Sequence, residues 1–359
     1  MKIFTRSLAA MALAAAVAAC STHPLVPSSA LRASPSPAVP AVAASAHPVT
    51  GVDVYARTAY PLAVVTADGR RVMRYIARLH AGGAGLVWNL CDPGRRSDVV
   101  KACSGTLSAA GVEELTREAQ ADGLAVQYRP IIRLGAPSGW TAPHGTWEGF
   151  IKPASQQAWF GSLYRAERPY LRAAQRLGVS QFVVGTELHG INSSPWWPWF
   201  LAKVRGIYHG SVAVAQHQSN YLGGHLIRGA SPGVDLYPDL GLRDDATQAQ
   251  VTAAFESKLA RVPASVLHAT SLDEVGFASV HGAYDAPQLW SAPGPADYLM
   301  QKRYFTAVCE TVAHYGMAGL WFYEADLTEN PAQPWAFPAA FEGRAGARAI
   351  AACAGILHD

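Results

Sequence analysis

From residue 50 onward, eight short apolar runs are separated by stretches with helical periodicity, and this alternation limits the possible folds more than any other feature. The runs are GVDVYAR (51–57), GLVWNLCDP (85–93), LAVQYRPIIRLG (124–135), QFVVGTELHG (181–190), SVAVAQH (211–217), GVDLYP (233–238), VLHATSLDEVGFAS (266–279) and GLWFYEA (319–325). Several are apolar on both faces, as strands buried in a parallel sheet must be. Helices are predicted over 68–83, 112–123, 155–177, 197–210, 246–261, 296–315 and 341–356, several ending at glycine. Eight strands alternating with helices predict an α/β chain folded as a single (β/α)8 TIM barrel over 50–359.

Two of the runs carry a glutamate where their apolar segment gives way to a glycine-containing turn. Glu187 follows Phe182-Val183-Val184-Gly185-Thr186 at once, and Glu274 stands before Gly276. A carboxylate has no place inside such a strand, but at its carboxyl end it reaches the mouth of the barrel, where catalytic groups sit. Two carboxyl groups at that mouth are the minimum equipment for cleaving a glycosidic bond, one serving as a proton donor and the other as a nucleophile or base. They need unlike surroundings, so that one stays protonated while the other is ionised. A lone glutamate at a strand end is more often an ion-pair partner; two at corresponding positions favour catalysis.

Composition agrees with this reading without choosing it. Half of the 359 residues are hydrophobic, with 10 Trp and 14 Tyr, enough for one large core and for sugar-stacking surfaces. The formal charge of +3 falls to about +1 without Lys2 and Arg6, so nothing suggests a nucleic-acid partner. Residues 1–20 read as an export signal with a basic start, a short apolar run and a cleavage region Val17-Ala18-Ala19-Cys20. That region resembles a bacterial lipoprotein box, which implies lipidation of Cys20 and anchoring to a membrane, with Ser21 pointing to the outer membrane. Residues 21–49, rich in Ser, Pro and Ala, read as a disordered tether. Four further cysteines, Cys91, Cys103, Cys309 and Cys353, allow three disulfide connectivities in an exported chain. Cys91–Cys103 would close a loop after the second strand and Cys309–Cys353 would pin the last helix; four free thiols are the alternative. Their spacing does not match a zinc site.

The stretches 147–190, VDLYPDL (234–240), LDEVGFAS (272–279) and GLWFYEADL (319–327) resemble the core signature of glycoside hydrolase family 113, retaining β-mannanase-like barrels of clan A. The resemblance implies that Glu187 is the acid/base and Glu274 the nucleophile, that the substrate is a β-linked neutral glycan, and that no metal or organic cofactor is needed. Thr186 stands where clan A usually has Asn, a departure the family shares. By the same resemblance an Arg is expected after Trp147, where this chain has Glu148, and a Trp where it has Tyr323.

Around the glutamates, Tyr237 is expected to donate a hydrogen bond to Glu274. Trp147, Trp321, Tyr323, His217, Asn220 and Asn89 are candidates for binding sugar. Three have a plainer alternative: Trp321 and Tyr323 as core filling, His217 as a support for Glu187. Gln216 is a further candidate for sugar hydroxyls, Trp196 and Trp197 for a subsite, Trp199 for helix packing, and Asp92 for substrate or a turn cap. The long loop 136–153 adds Trp140 and His144. The expectation is a monomeric, exported, lipid-anchored glycosidase. A sugar-binding lipoprotein on an inactive barrel, or a hydrolase of cell-envelope or exopolysaccharide glycan, are the rivals.

Overall fold

The computed structural model describes residues 49–135, 147–288, 295–332 and 339–358. The export signal, Cys20, all of the tether except residue 49, Trp140 and His144 lie outside the described residues.

Eight parallel strands close into a barrel in chain order: β1 (Val49–Ala56), β2 (Gly83–Asp92), β3 (Ala125–Leu134), β4 (Gln181–Thr186), β5 (Ser211–His217), β6 (Ser231–Asp235), β7 (Ser271–Val275) and β8 (Gly319–Asp326). The helices are α1 (Leu62–Arg78), α2 (Ala109–Ala121), α3 (Gln156–Leu177), α4 (Trp197–Arg205), α5 (Gln218–Leu222), α6 (Gln248–Leu259), α7 (Ala264–Leu267), α8 (Tyr298–Tyr315) and α9 (Ala345–His358). The barrel is therefore the expected one. The main hydrophobic core lies between strands and helices, with Trp88, Trp159, Phe160, Phe182 and Tyr304 among its large, fully buried members.

Helix ends follow local chemistry. The Ser155 hydroxyl caps α3 by accepting from the Ala158 N–H, and Gly178 closes that helix at φ 63°. Asp297 caps α8, which ends at Gly316 with φ 57°. Helix α1 departs from expectation. It starts at Leu62, directly after Pro61, and stops at Arg78, because Gly83 already belongs to β2. Gly83 is needed there, since a Cβ would stand 2.9 Å from the Trp321 ring. Residue 49, assigned to the tether by sequence, pairs with Gly319 at the start of β1. The short helix α5, directly after β5, was not foreseen.

Glycines shape the barrel interior. The Trp321 ring occupies the space a side chain at Gly51 would need, a Cβ there falling 2.2 Å from the ring. Gly85 leaves room for the Asp53 carboxyl, and Gly233 for that of Asp273. The fully buried Arg129 guanidinium joins these acids, donating to Asp53 (2.9 Å), Asp235 (2.6 Å), Glu274 (2.5 Å) and the Asp273 carbonyl oxygen (2.5 Å). The centre of the barrel is thus a polar network, and its upper members form the floor of a cleft.

Both disulfides are present. Cys91–Cys103 closes the loop after β2, and Cys309–Cys353 ties α9 to α8.

Candidate active site

At the carboxyl ends of the strands a cavity of about 390 Å³ is lined by Trp147, Glu187, His217, Gln218, Asp235, Tyr237, Glu274, Gln288 and Tyr323. Glu187 and Glu274, at the ends of β4 and β7, both open into it.

Glu187 enters the cleft through a backbone turn. The ladder between β4 and β5 shifts register after Val183, and Glu187 itself has φ 49°, a left-handed conformation uncommon for a side-chain-bearing residue. Its N–H is held by the Ala215 carbonyl at 2.8 Å. Its Oε2 accepts from the Trp147 indole N–H at 2.5 Å. Desolvation, followed by the charges of Glu148 and Glu274, pushes its pKa up to about 8, with the indole bond opposing. Glu187 therefore keeps its proton at neutral pH.

Glu274 has the opposite surroundings. Tyr237 donates to its Oε1 at 2.5 Å and Arg129 to its Oε2 at 2.5 Å, a pair of donors complementary to an ionised carboxylate. The Tyr237 phenol is desolvated and faces the Glu274 charge, which holds its pKa far above the usual range, so it remains a donor.

The other expected residues divide into two groups. Trp147, His217 and Tyr323 reach the cleft. His217 bonds Ser219 through Nδ1 at 2.8 Å and lies edge-on to the Trp147 ring, so the support of Glu187 comes from Trp147. Burial and the neighbouring His189 lower the His217 pKa, favouring the neutral imidazole. Trp321, Asn220 and Asn89 are corrections. Trp321 is buried over Gly51 and Gly83 in the barrel interior. Asn220 is buried on α5, because the chain turns into that helix straight after β5 and places Gln218 at the cleft instead. Asn89 is consumed by Tyr55 (2.6 Å), the Arg57 carbonyl (2.8 Å) and Arg133 (3.1 Å).

Gln216 likewise serves the scaffold, donating to Asn192 and to the His225 carbonyl. Asp92 caps its own turn at Gly94 and accepts from the Trp159 indole. Trp197 is buried against Phe160 and Phe200, whereas Trp199 is exposed on α4 and meets Trp196 edge-on.

Sequence reasoning missed Arg129, Asp235, Gln218 and Gln288. Arg129 carried a usable signal: Gln127, Arg129 and Arg133 alternate along an otherwise apolar β3, and polar residues at period two mark an inward face.

A closed barrel with two carboxyl groups in unlike surroundings across one cleft is the architecture of a glycosidase. The sequence profile of Glycoside Hydrolase Family 113 matches residues 88–333, and the chain belongs to that family. A comparison with curated proteins gives no match. Among solved structures, a GH113 β-1,4-mannanase superposes with TM-score 0.69 at 17% identity, covering 86% of this chain and 98% of its own. The GH113 β-mannanase of Alicyclobacillus acidocaldarius, in complex with ManMIm, gives TM-score 0.68 at 20% identity, covering 85% and 97%. A GH5_18 protein of Streptomyces cattleya, in complex with GlcNAc, gives 0.55 at 14%, covering 87% and 80%. At these identities the superpositions speak for the fold; the family assignment rests on the sequence profile.

Proposed function

We propose that this glycosidase cleaves a mannan-type β-linked glycan with retention of configuration, Glu274 acting as nucleophile and Glu187 as acid/base. One observation carries the assignment of roles. The two carboxyl groups share a cleft, yet Glu187 is desolvated and held by a single indole donor, while Glu274 receives a guanidinium and a phenol. In the first step a Glu274 oxygen bonds to the anomeric carbon as the glycosidic C–O bond breaks, and Glu187 gives its proton to the departing oxygen. In the second, Glu187 takes a proton from water, the water oxygen bonds to the anomeric carbon and Glu274 leaves. Trp147 and Tyr323 supply aromatic surface to the sugar. The mannan-type substrate is supported by family membership and by the β-mannanases among the similar structures.

The test is hydrolysis of β-1,4-mannan, glucan and xylan oligosaccharides by the full chain, with proton NMR following the first product. Mannan cleavage releasing the β-anomer first, abolished in Glu274→Ala and partly restored by azide as a β-glycosyl azide when Glu187→Ala is used, supports the reading. Initial release of the α-anomer would exclude retention. Silence on every substrate, with sugar binding intact, would indicate an inactive barrel.

We also propose that the chain is exported and lipidated on Cys20, on the strength of the Val17-Ala18-Ala19-Cys20 sequence. Incorporation of labelled palmitate that vanishes in Cys20→Ala tests it.

A further inference from the structure

Glu187 and Glu274 stand at the ends of β4 and β7, so the cleft wall between them is built by the strands in between, β5 and β6. These two pair in register to their ends, where His217 faces Asp235. The chain then turns at once into α5, and Gln218, the first residue of that helix, lines the cleft beside His217, Asp235 and Tyr237. The helix is anchored behind the wall. Tyr221 is buried with its hydroxyl 2.7 Å from that of Thr270, and the Asn220 carbonyl accepts from the His225 N–H at 2.9 Å. Gln218 is thus held on a fixed element.

One bond sets its side-chain orientation. The Tyr237 N–H donates to Gln218 Oε1 at 3.0 Å. A backbone N–H can only donate, so the amide atom that faces it is the oxygen, and the nitrogen occupies the other arm. No acceptor among the described residues takes a bond from that Nε2. Neighbouring donors are already engaged, the Trp147 N–H by Glu187 and the Tyr237 hydroxyl by Glu274. A sugar hydroxyl that gives its hydrogen to a cleft carboxyl group still has lone pairs to satisfy once water is expelled, and the Gln218 amide offers N–H donors for them. Its bond to Tyr237 sets Gln218 beside the residue that serves the nucleophile, hence at the sugar under attack.

We infer that Gln218 is a specificity-determining residue, its Nε2 donating to one ring hydroxyl of the sugar whose anomeric carbon Glu274 attacks. Its Oε1 meanwhile holds the Tyr237 backbone. The inference deepens the glycosidase reading and rests on the assignment of Glu274 as nucleophile. A sugar lacking that hydroxyl would leave the amide without its partner, which is how a polar site rejects an analogue.

The experiment separates sugar binding from support of Tyr237. Wild type and Gln218→Ala are compared on nitrophenyl β-1,4-mannobioside and on analogues that each lack a single hydroxyl of the sugar bearing the nitrophenyl group. Differences in intrinsic reactivity cancel between the two proteins. For one analogue the loss in kcat/KM relative to the parent should be roughly 5-fold smaller in Gln218→Ala than in wild type, as removal of a single hydrogen bond predicts. Losses equal in both proteins for every analogue overturn the inference, even where the variant is slower on all substrates, because a role confined to Tyr237 gives that pattern. Should the alanine variant not fold, Gln218→Met keeps the length, removes the amide and is read the same way. Should the wild type cleave nothing, the same comparison is made on dissociation constants by calorimetry. A smaller loss in the variant there upholds Gln218 as a sugar-binding residue and sinks the hydrolytic reading instead. Equal losses, or no binding at all, overturn the inference.

Discussion

Arg129 donates to Glu274 from a nitrogen, Nη2, that lies 2.5 Å from Glu274 Oε2 and also 2.6 Å from Asp235 Oδ2. The fully buried guanidinium so joins the floor of the cleft to the carboxyl group assigned as nucleophile. Arg129→Met would leave Asp53, Asp235 and Glu274 without their cation. The expected cost is about 3–5 kcal/mol of stability, the range for breaking a buried ion pair from one side. Arg129→Lys should recover little, because an ammonium lacks the planar fork that serves several acceptors at once. Urea unfolding of both variants checks this.

Tyr237 supplies the other donor to Glu274. Tyr237→Phe keeps the ring and removes one charge-assisted hydrogen bond, worth about 1.5–3 kcal/mol. The expected result is a roughly 10- to 100-fold fall in kcat with little change in KM. A change confined to KM would place Tyr237 in ground-state sugar binding.

Glu187 combines a left-handed backbone with a desolvated carboxyl. Both features disfavour the folded state, at about 1–3 kcal/mol for the backbone alone. Glu187→Gly should abolish activity while raising the melting temperature. A lower melting temperature would show that the Trp147 bond contributes more than the backbone costs.

Burial raises the pKa of Glu167 well above its ordinary value, and that of Glu342 to about 8. Glu167 sits on α3 and has one oxygen with no partner. Groups of this kind bind more protons folded than unfolded, so stability falls as pH rises from the unfolded carboxyl value towards the folded one. The melting temperature should therefore decline between pH 5 and 8.5. Glu167→Gln should flatten the decline. A stability that rises across this window in the wild type would contradict it.

The two disulfides differ in what stands behind them. The Cys91–Cys103 loop holds the segment after Trp147, for Arg95 and Arg96 carbonyls accept from Lys152 and Ala154, and Asp98 accepts from the Ser155 N–H. Cys309–Cys353 joins two outer helices. By loop-closure entropy, replacing either pair with Ala costs about 3 and about 4 kcal/mol respectively. Only the Cys91→Ala/Cys103→Ala protein should also lose kcat at temperatures where it is still folded. Equal kcat values in the two double variants would detach the loop from the site.

The residues legible in advance were those whose type conflicts with their local pattern. Glu187 and Glu274 are acids at the ends of apolar runs, and Tyr237 ends a third. Trp321, Asn89 and Asn220 were misplaced because their roles depend on neighbours far away in the chain: Gly51 and Gly83 beneath one, Arg133 and Tyr55 around the next, and the immediate turn into α5 for the last.

By itself the sequence determined the barrel, because eight apolar strand runs alternate with seven helical stretches and parallel strands so connected close on themselves. It also determined which two carboxyl groups end up at the mouth, since position along a strand is a one-dimensional property. The tertiary structure alone decided what each carboxyl group meets. Proton affinity depends on desolvation and on charges brought together from β3, β7 and the turn at Glu148, and such distances exist only after the barrel has closed.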